Sequence, residues 1–522
     1  MSSLKNYLSK NWIKDPKSNI LSGIVVAFAM IPEAIAFSGI AGVDPKVGLY
    51  GAFCLSITIA LVGGRIGMIT SATGSTALLM TGLVSYGESQ SPGLGLSYLI
   101  AAGLLTGVFQ IFWGYLRLAY QMRFVPTGVL SGFVNALALL IFQAQLPQLG
   151  IGIKEGTKLA EQTITKYPMN DQIPMVWILV IIGLVIIYGL PKLTKLIPSQ
   201  LIAIIVITFI SIYFKLEIPT VSDLGNLPEG LPKLSLPFGS LANGKVPFNF
   251  STLGIILPTS LAISLVGLME TFLTQDILDD MTDTNSNKNR EARGQGISNI
   301  VASLFGGMAG CALVGQSVMN SDNGGQSRLS TLTSGLSLLL MIVLFKQWIG
   351  AIPMAALVAV MITISVSTAD ISGLRNIRKI PRSDTAVMLT TFGVTMLTKP
   401  HNLALGVIAG VALAAILFSR KVAKVITVNR VKIDKDQTKY LVEGQLFFVS
   451  KIYFLQGFDI HEHPNEITID MSSAHIWDQS GVVALDQIIR KFRNGGSKVE
   501  VIGLNQESSN LFQRLGGIKA GH

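Results

Sequence analysis

Two carboxylates stand inside long apolar runs, Glu33 within residues 20–42 and Glu270 within 252–278. An acidic side chain at bilayer depth costs on the order of 3 kcal/mol by insertion scales, so such a group is kept where it faces a cavity, carries a proton or binds a cation. Thr274 lies one turn beyond Glu270 on the same helix face, and the pair would supply oxygens to a cation. A carboxyl hydrogen-bonded across helices is the structural alternative. Two other stretches begin in polar, glycine-containing backbone: Gly67-Met-Ile-Thr-Ser-Ala-Thr73-Gly74-Ser75 and Gly310-Cys-Ala-Leu-Val-Gly315-Gln316-Ser317. Each follows a Gly-Gly-x-x-Gly sequence, at Gly63/Gly64/Gly67 and Gly306/Gly307/Gly310. A short helix that starts in mid-membrane leaves its first N–H groups unpaired and carries partial positive charge there. Two such ends facing one another make an anion site without a buried cation. Thr73, Gly74, Ser75, Gly315, Gln316 and Ser317 are therefore the candidate substrate-binding residues, and Glu33, Glu270 and Thr274 the candidate coupling-ion residues. Small residues also permit close helix packing, which is the competing explanation for both stretches.

The elements that must position these residues are membrane spans. Apolar windows of about 20 residues give fourteen candidates. The first seven lie near 20–42, 46–63, 68–85, 94–116, 124–145, 173–190 and 198–214. The second seven lie near 252–278, 294–308, 311–320, 327–345, 351–369, 384–399 and 402–419. The two glycine-led segments are the third and tenth, and the two carboxylates sit in the first and eighth. Both pairs are seven apart, the footprint of a seven-plus-seven duplication, and an odd number of spans per half makes the repeats inverted. Basic residues agree with cytoplasmic termini: Arg65, then Arg117 and Arg123, Lys192 and Lys195, Lys288, Arg290 and Arg293, the group Arg375, Arg378, Lys379 and Arg382, and finally Arg420, Lys421 and Lys424. The longer loops near 146–172 and 215–250 fall outside, with the short loop 85–95. Asp276, Asp279, Asp280 and Asp283 come at the cytoplasmic end of the eighth span, where a solvated role is expected.

Bulk composition points the same way. Half of the 522 residues are hydrophobic and only 13% are charged, about half the charged share of a soluble protein, and mean hydropathy is +0.54. The net charge of +10 could attract nucleic acid, but the basic residues sit at the ends of apolar spans. No nucleic-acid partner is expected. Cys54 and Cys311 both lie in apolar segments and suggest neither a disulfide framework nor a metal site. Lys5, Lys10, Lys14 and Lys17 precede the apolar run from Ile20, which is too long for a signal-peptide core and reads as a retained first helix. No nucleophile–base pair or metal-ligand cluster supports an enzyme.

Three stretches resemble the SulP (sulphate permease) family of inorganic anion transporters: SGIVVAFAMIPEAIAFSGIAGVDPKVGLYGAF at 22–53, LGNLPEGLPKLSLP at 224–237, and GLMETFLTQDILDDMTDTNSNKNREARGQGISNIVASLFGGMAG at 267–310, continuing into GQSVMNSDNGGQSRLS. The resemblance implies an α-helical polytopic fold of two inverted seven-helix repeats, with the core and gate division of uracil permeases. It also implies substrate held between the starts of the third and tenth helices. Two positions depart from the family pattern. Many members carry an arginine at the start of the tenth helix where this chain has Gln316, which shifts anion attraction onto the helix ends and weakens an inference of sulphate. The sodium-coupled bicarbonate branch pairs an acid and a threonine in the eighth helix, as Glu270 and Thr274 do, with a threonine before the tenth; here that place is Val314. Proton coupling through Glu33 or Glu270 is then the alternative to sodium.

The last hundred residues read as a small α/β domain, with strands at 438–449, 466–472 and 498–504 alternating with helical GVVALDQIIRKF and ESSNLFQRLG. This tail resembles a STAS domain, as found in SulP proteins and anti-sigma-factor antagonists. The loop expected after the central strand runs Asp470-Met-Ser472-Ser473-Ala-His475-Ile-Trp-Asp478-Gln479-Ser480-Gly481. In the antagonists the phosphorylated serine follows an aspartate; Gln479 holds that place here, so Ser480 is read as structural and His475 as a surface loop residue. The expected organisation is a transporter domain over 1–425 and a cytoplasmic STAS domain over 426–522. The expected function is secondary active transport of a small inorganic anion of the sulphate or bicarbonate class. An uncoupled channel or exchanger and a membrane-bound STAS sensor are the alternatives. No cofactor is expected beyond Na+ or H+ as coupling ion. The expected partners are the anion, the bilayer and a second copy of the chain in a homodimer, with the protein in the inner (plasma) membrane.

Overall fold

The computed structural model describes residues 11, 12, 14–117, 125–151, 167–193, 198–240, 244–398, 402–434, 436–461 and 464–515. Of the basic residues used above, Lys5, Lys10, Arg123 and Lys195 lie outside them. The chain forms two compact units, residues 1–410 and 411–522.

The first seven long helices are α1 Pro16–Ala41, α2 Pro45–Val62, α3 Gly74–Gln90, α4 Leu94–Tyr115, α5 Thr127–Gln143, α6 Ile173–Gly189 and α7 Ser199–Tyr213. The next seven are α8 Phe250–Thr282, α9 Lys288–Leu304, α10 Val314–Asp322, α11 Arg328–Leu344, α12 Met354–Thr368, α13 Arg382–Leu397 and α14 Leu403–Ala423. Among the described residues, seven helices are long and apolar enough to cross a membrane, and α7, α11 and α12 are shorter apolar ones. Local signals set several starts. Asp15 and Asp44 precede Pro16 and Pro45 at the first turns of α1 and α2, where a proline's missing N–H costs nothing. The Asn249 and Asn287 side chains accept from the Thr252 and Arg290 amides at the starts of α8 and α9.

Packing sorts these helices into two sets. In one, α9 lies along α4 and α2, α11 along α1 and α2, and α8 along α4. In the other, α13 lies along α5, and α12 along α6 and α5. Gly107 and Gly296 let α4 and α9 touch backbone to backbone: a Cβ on either would stand 2.5 Å from the other's carbonyl oxygen.

Between the long helices are two very short strands, β1 Thr70–Ser71 and β2 Cys311–Ala312, paired antiparallel with Thr70 opposite Ala312 and Ser71 opposite Cys311. Here the structure corrects the third and tenth segments, whose helices begin at Gly74 and Val314 rather than near 68 and 311. The reason is that Thr70–Ser71 and Cys311–Ala312 spend their backbone groups on one another. Gly310 permits the approach, because a Cβ there would collide with the Ser71 carbonyl oxygen.

The second unit holds a four-stranded sheet in the order β3 Thr427–Lys432, β4 Gln437–Leu446, β5 Glu466–Ile476, β6 Lys498–Ile502. The β3–β4 pair is antiparallel; β4–β5 and β5–β6 are parallel. Helices α15 Lys451–Gln456, α16 Gln479–Asn494 and α17 Gln506–Leu515 complete it, and Tyr440, Phe454, Phe458 and Phe492 anchor its core. Edge strand β3 was not foreseen, since TVNRVK is polar or charged at four of its six positions and only Val428 packs on the core. The segment from Asp470 to Ile476 is strand, not loop. Its parallel pairing with β4 resumes after a shift between Leu441 and Glu443 and runs on to Leu446 opposite Ile476. His475 accordingly sits in β5, with Nδ1 2.8 Å from Asn505 Nδ2 and Nε2 3.4 Å from Glu507. Asp478 caps α16 by accepting from the Gly481 amide at 2.9 Å, which places Gln479 and Ser480 in its first turn.

Candidate functional site

The β1–β2 ribbon brings the starts of α3 and α10 together, although 240 positions separate Gly74 from Val314. Buried polar side chains hold the ribbon. Asn299 of α9 accepts from the Gly310 amide at 2.8 Å and donates to its carbonyl at 3.1 Å. Gln295, one turn earlier, donates to Thr70 Oγ1 at 2.9 Å. Ser56 donates to the Thr70 carbonyl at 2.8 Å, and the Leu313 amide donates to the Ile69 carbonyl at 2.9 Å. Ser317 accepts from the Ile69 amide at 2.9 Å, so its hydroxyl supports the ribbon.

The two carboxylates meet the broken helices crosswise. Glu33 of α1 accepts from Gln316 Nε2 of α10. Glu270 of α8 accepts from Ser75 Oγ of α3 at 2.7 Å and from the Cys311 thiol at 2.8 Å. The first-half acid thus engages the second-half broken helix, and the second-half acid engages the first-half one. Thr73 lies 3.2 Å from both Ser75 Oγ and Cys311 Sγ, and 3.1 Å from Thr76 Oγ1.

Thr274 does not join this cluster. Its hydroxyl donates to the Glu270 backbone carbonyl at 2.8 Å, in the manner of a helix threonine, and leaves the carboxylate to Ser75 and Cys311. Asp279 also departs from expectation. It is not simply solvated: it pairs with Arg65 at 2.8 Å and accepts from Ser286.

The two helix starts differ in their surroundings. At α3, a Cβ on Gly74 would stand 2.9 Å from Ile141 Cδ1 and 3.1 Å from Phe37 Cε1, and Thr73 and Ser75 are buried. At α10, Val314 is 37% exposed and a Cβ on Gly315 would meet nothing within 4 Å. One tip is packed and the other opens onto free space. The residues that the sequence reading did not assign to the site are Cys311, Gln295 and Asn299. The last two lie four apart in GQGISN, a polar pair on one face of a helix that must be buried, and that spacing was the available signal.

The sulfate permease family matches residues 17–391, and the STAS domain matches residues 428–519. The chain belongs to the sulfate permease family. Over 508 residues it is 45% identical to a Bacillus subtilis (strain 168) protein named "Putative sulfate transporter YbaR", covering 97% of this chain and 98% of that one. It is 29% identical to the bicarbonate transporter BicA of Picosynechococcus sp. over 452 residues, 84% of this chain and 78% of BicA. The solved transmembrane domain of a cyanobacterial BicA superimposes with TM-score 0.64 at 26% identity, over 78% of this chain and 98% of that domain. The murine Slc26a9 anion transporter, solved in its inward-facing state, superimposes with TM-score 0.80 at 17% identity, over 99% of this chain and 90% of that one. That last likeness shows a shared fold. This sulfate permease family member is therefore a multi-pass membrane protein with a transporter fold and a C-terminal STAS domain, and its relatives are transporters.

Proposed function

We propose that the protein is a secondary active transporter of a small inorganic anion of the sulphate or bicarbonate class, working by alternating access. The observation that carries this reading is the open space over Gly315 at the start of α10, set beside the start of α3 by the β1–β2 ribbon. An anion there meets helix N–H groups and the positive end of a helix dipole, with Thr73, Gly74, Ser75, Gly315, Gln316 and Ser317 forming its surroundings. The named activities of YbaR and BicA bracket the substrate class.

Coupling is assigned to a proton carried by Glu33 or Glu270. The Thr274 hydroxyl is bonded to the Glu270 backbone carbonyl rather than to its carboxylate, and Val314 offers no side-chain oxygen, which argues against a sodium cage. The same two facts support uncoupled exchange as the second reading. Fourteen spans as inverted seven-helix repeats are proposed on the crosswise Glu33–Gln316 and Glu270–Ser75 bonds. Cytoplasmic termini in the inner (plasma) membrane are proposed on the placement of basic residues. Residues 1–425 are assigned to transport and 426–522 to the STAS domain, with β3 opening at Thr427, and the assembly is proposed to be a homodimer.

The deciding experiment reconstitutes the full chain in liposomes and follows labelled sulphate, bicarbonate and dicarboxylate under separate sodium and proton gradients. Uptake of one anion driven by a proton gradient is the expected result. Flux indifferent to every cation gradient selects the uncoupled reading, and absence of flux for all three anions removes transport.

A further inference from the structure

Helix α5 has two faces with different partners. One presents Ile141 to Gly74 at the packed start of α3. Another face borders a separate cavity of about 470 Å³, lined by Asn135, Leu139 and Phe142 of α5, Val366 of α12, and Leu389 and Phe392 of α13. Its lining is apolar apart from two side chains. Ser365 already donates to the Ala138 carbonyl at 2.7 Å. Asn135 is 8% exposed and accepts from the Asp370 amide at 2.9 Å through Oδ1. That bond fixes the orientation of the amide and leaves Nδ2 as a buried donor, without a partner among the described residues. A buried donor in apolar surroundings awaits an acceptor.

The chain next to the cavity is basic. Ile371 and Leu374 line it, and the chain that follows exposes Arg375, Arg378, Lys379 and Arg382. The acids in this stretch are Asp370, taken up by Ser131, Ser372 and Gly373, and Asp384. An apolar slot with one internal donor and cations in the adjoining chain matches a molecule with a long apolar chain, a polar acceptor near its end and an anionic head.

We propose that this cavity holds an acyl chain of an anionic phospholipid, the slot widening enough for its ester carbonyl to accept from the covered Asn135 Nδ2, with its phosphate held by the basic stretch 375–382. The lipid occupies a different face of α5 from Ile141, so it sets how α5 bears on Gly74 and thereby tunes transport. The inference needs only that the protein is embedded in a bilayer, and it stands whichever anion is carried.

Native mass spectrometry of the full chain, exchanged into detergent with phosphatidylglycerol or phosphatidylcholine, tests it. The wild type is expected to retain phosphatidylglycerol in preference to phosphatidylcholine. Asn135→Asp keeps the acceptor for the Asp370 amide and removes the donor, and is expected to lower retention about tenfold. Leu139→Trp fills the slot and abolishes retention. The pair Arg378→Gln and Arg382→Gln, at exposed positions that leave folding intact, abolishes the headgroup preference. Equal retention of both lipids by the wild type overturns the proposal, as does wild-type retention in the folded slot variants. Cross-linking of a Leu139→Cys variant between chains, with no lipid retained, reassigns the face to self-association and overturns it as well.

Discussion

Ser75 donates to the Glu270 carboxylate at 2.7 Å and so joins the start of α3 to α8, two elements from opposite halves of the chain. Its counterpart is the Gln316–Glu33 bond, which runs from α10 to α1. Each acid therefore reports on the broken helix of the opposite half of the chain. Protonation of Glu270 changes it from an acceptor to a group that can donate, and the Ser75 and Cys311 hydrogens lose their charged partner.

The first expectation concerns this bond. If Glu270 carries the coupling proton, Glu270→Gln removes proton-driven uptake while anion exchange persists. Ser75→Ala lowers uptake without abolishing its pH dependence. A double-mutant cycle on unfolding is expected to give a coupling of about 1.5–3 kcal/mol between the two positions, as for a hydrogen bond to a charged group. Undiminished proton-driven uptake in Glu270→Gln would rule that residue out.

Gly74 and Gly315 supply a paired test. Gly74→Ala must displace Ile141 and Phe37, an overpacking expected to cost about 1–3 kcal/mol and to lower the thermal midpoint. Gly315→Ala meets open space, so stability changes little while the anion's room shrinks. The expected signature is a raised KM with a normal midpoint. A normal KM in Gly315→Ala places the substrate elsewhere.

Much of this arrangement was legible in the sequence, and what was not has physical causes. The carboxylates and the glycine-led starts could be read because each is a local departure from an apolar background. The ribbon could not, since two strands of two residues have no periodicity and exist only through a partner 240 positions away. Thr274 was placed with Glu270 by helix spacing alone, yet a threonine in a helix can satisfy itself on the carbonyl four residues back, and here it does. Asp279 was read as solvated because it falls at the expected cytoplasmic end of the eighth span. Its ion pair with Arg65 depends on the turn after α2 reaching the end of α8.

That turn yields a third expectation. Glu291 Oε2 accepts from the Gly64 and Arg65 amides at 2.6 and 2.8 Å, while Arg328 donates to the carbonyls of Ala60 and Gly63 at 2.7 and 2.6 Å. Both side chains are buried, and together they saturate the end of α2. Removing one member of a buried charged network costs about 3–5 kcal/mol. Glu291→Ala is thus expected to lose most folded protein in detergent, as read by size exclusion and thermal unfolding. Lys288→Ala, at the exposed Asp276 pair, is expected to change the midpoint little.

The STAS unit carries a pH expectation. Asp470 accepts from the Ser472 hydroxyl at 2.6 Å and its amide at 2.9 Å, and pairs with Lys439 at 2.9 Å. The Ser472 hydroxyl first, with Lys439 and the Ser472 amide after it, holds the Asp470 carboxyl down at about 2. An unfolded aspartate titrates near 3.9. Because the folded value is the lower one, the carboxylate's stabilisation is complete above about pH 4 and is lost as pH falls toward 2. Asp470→Asn removes the group that titrates. Acid unfolding of residues 411–522, followed by hydrogen exchange in the full chain, is then expected to lose that part of its pH dependence between about 4 and 2. The variant should also exchange faster at the Ser472 amide at neutral pH, where the wild-type carboxylate accepts from it. Identical acid profiles for variant and wild type would mean that the Lys439–Asp470–Ser472 cluster contributes nothing to how β5 is held between β4 and β6.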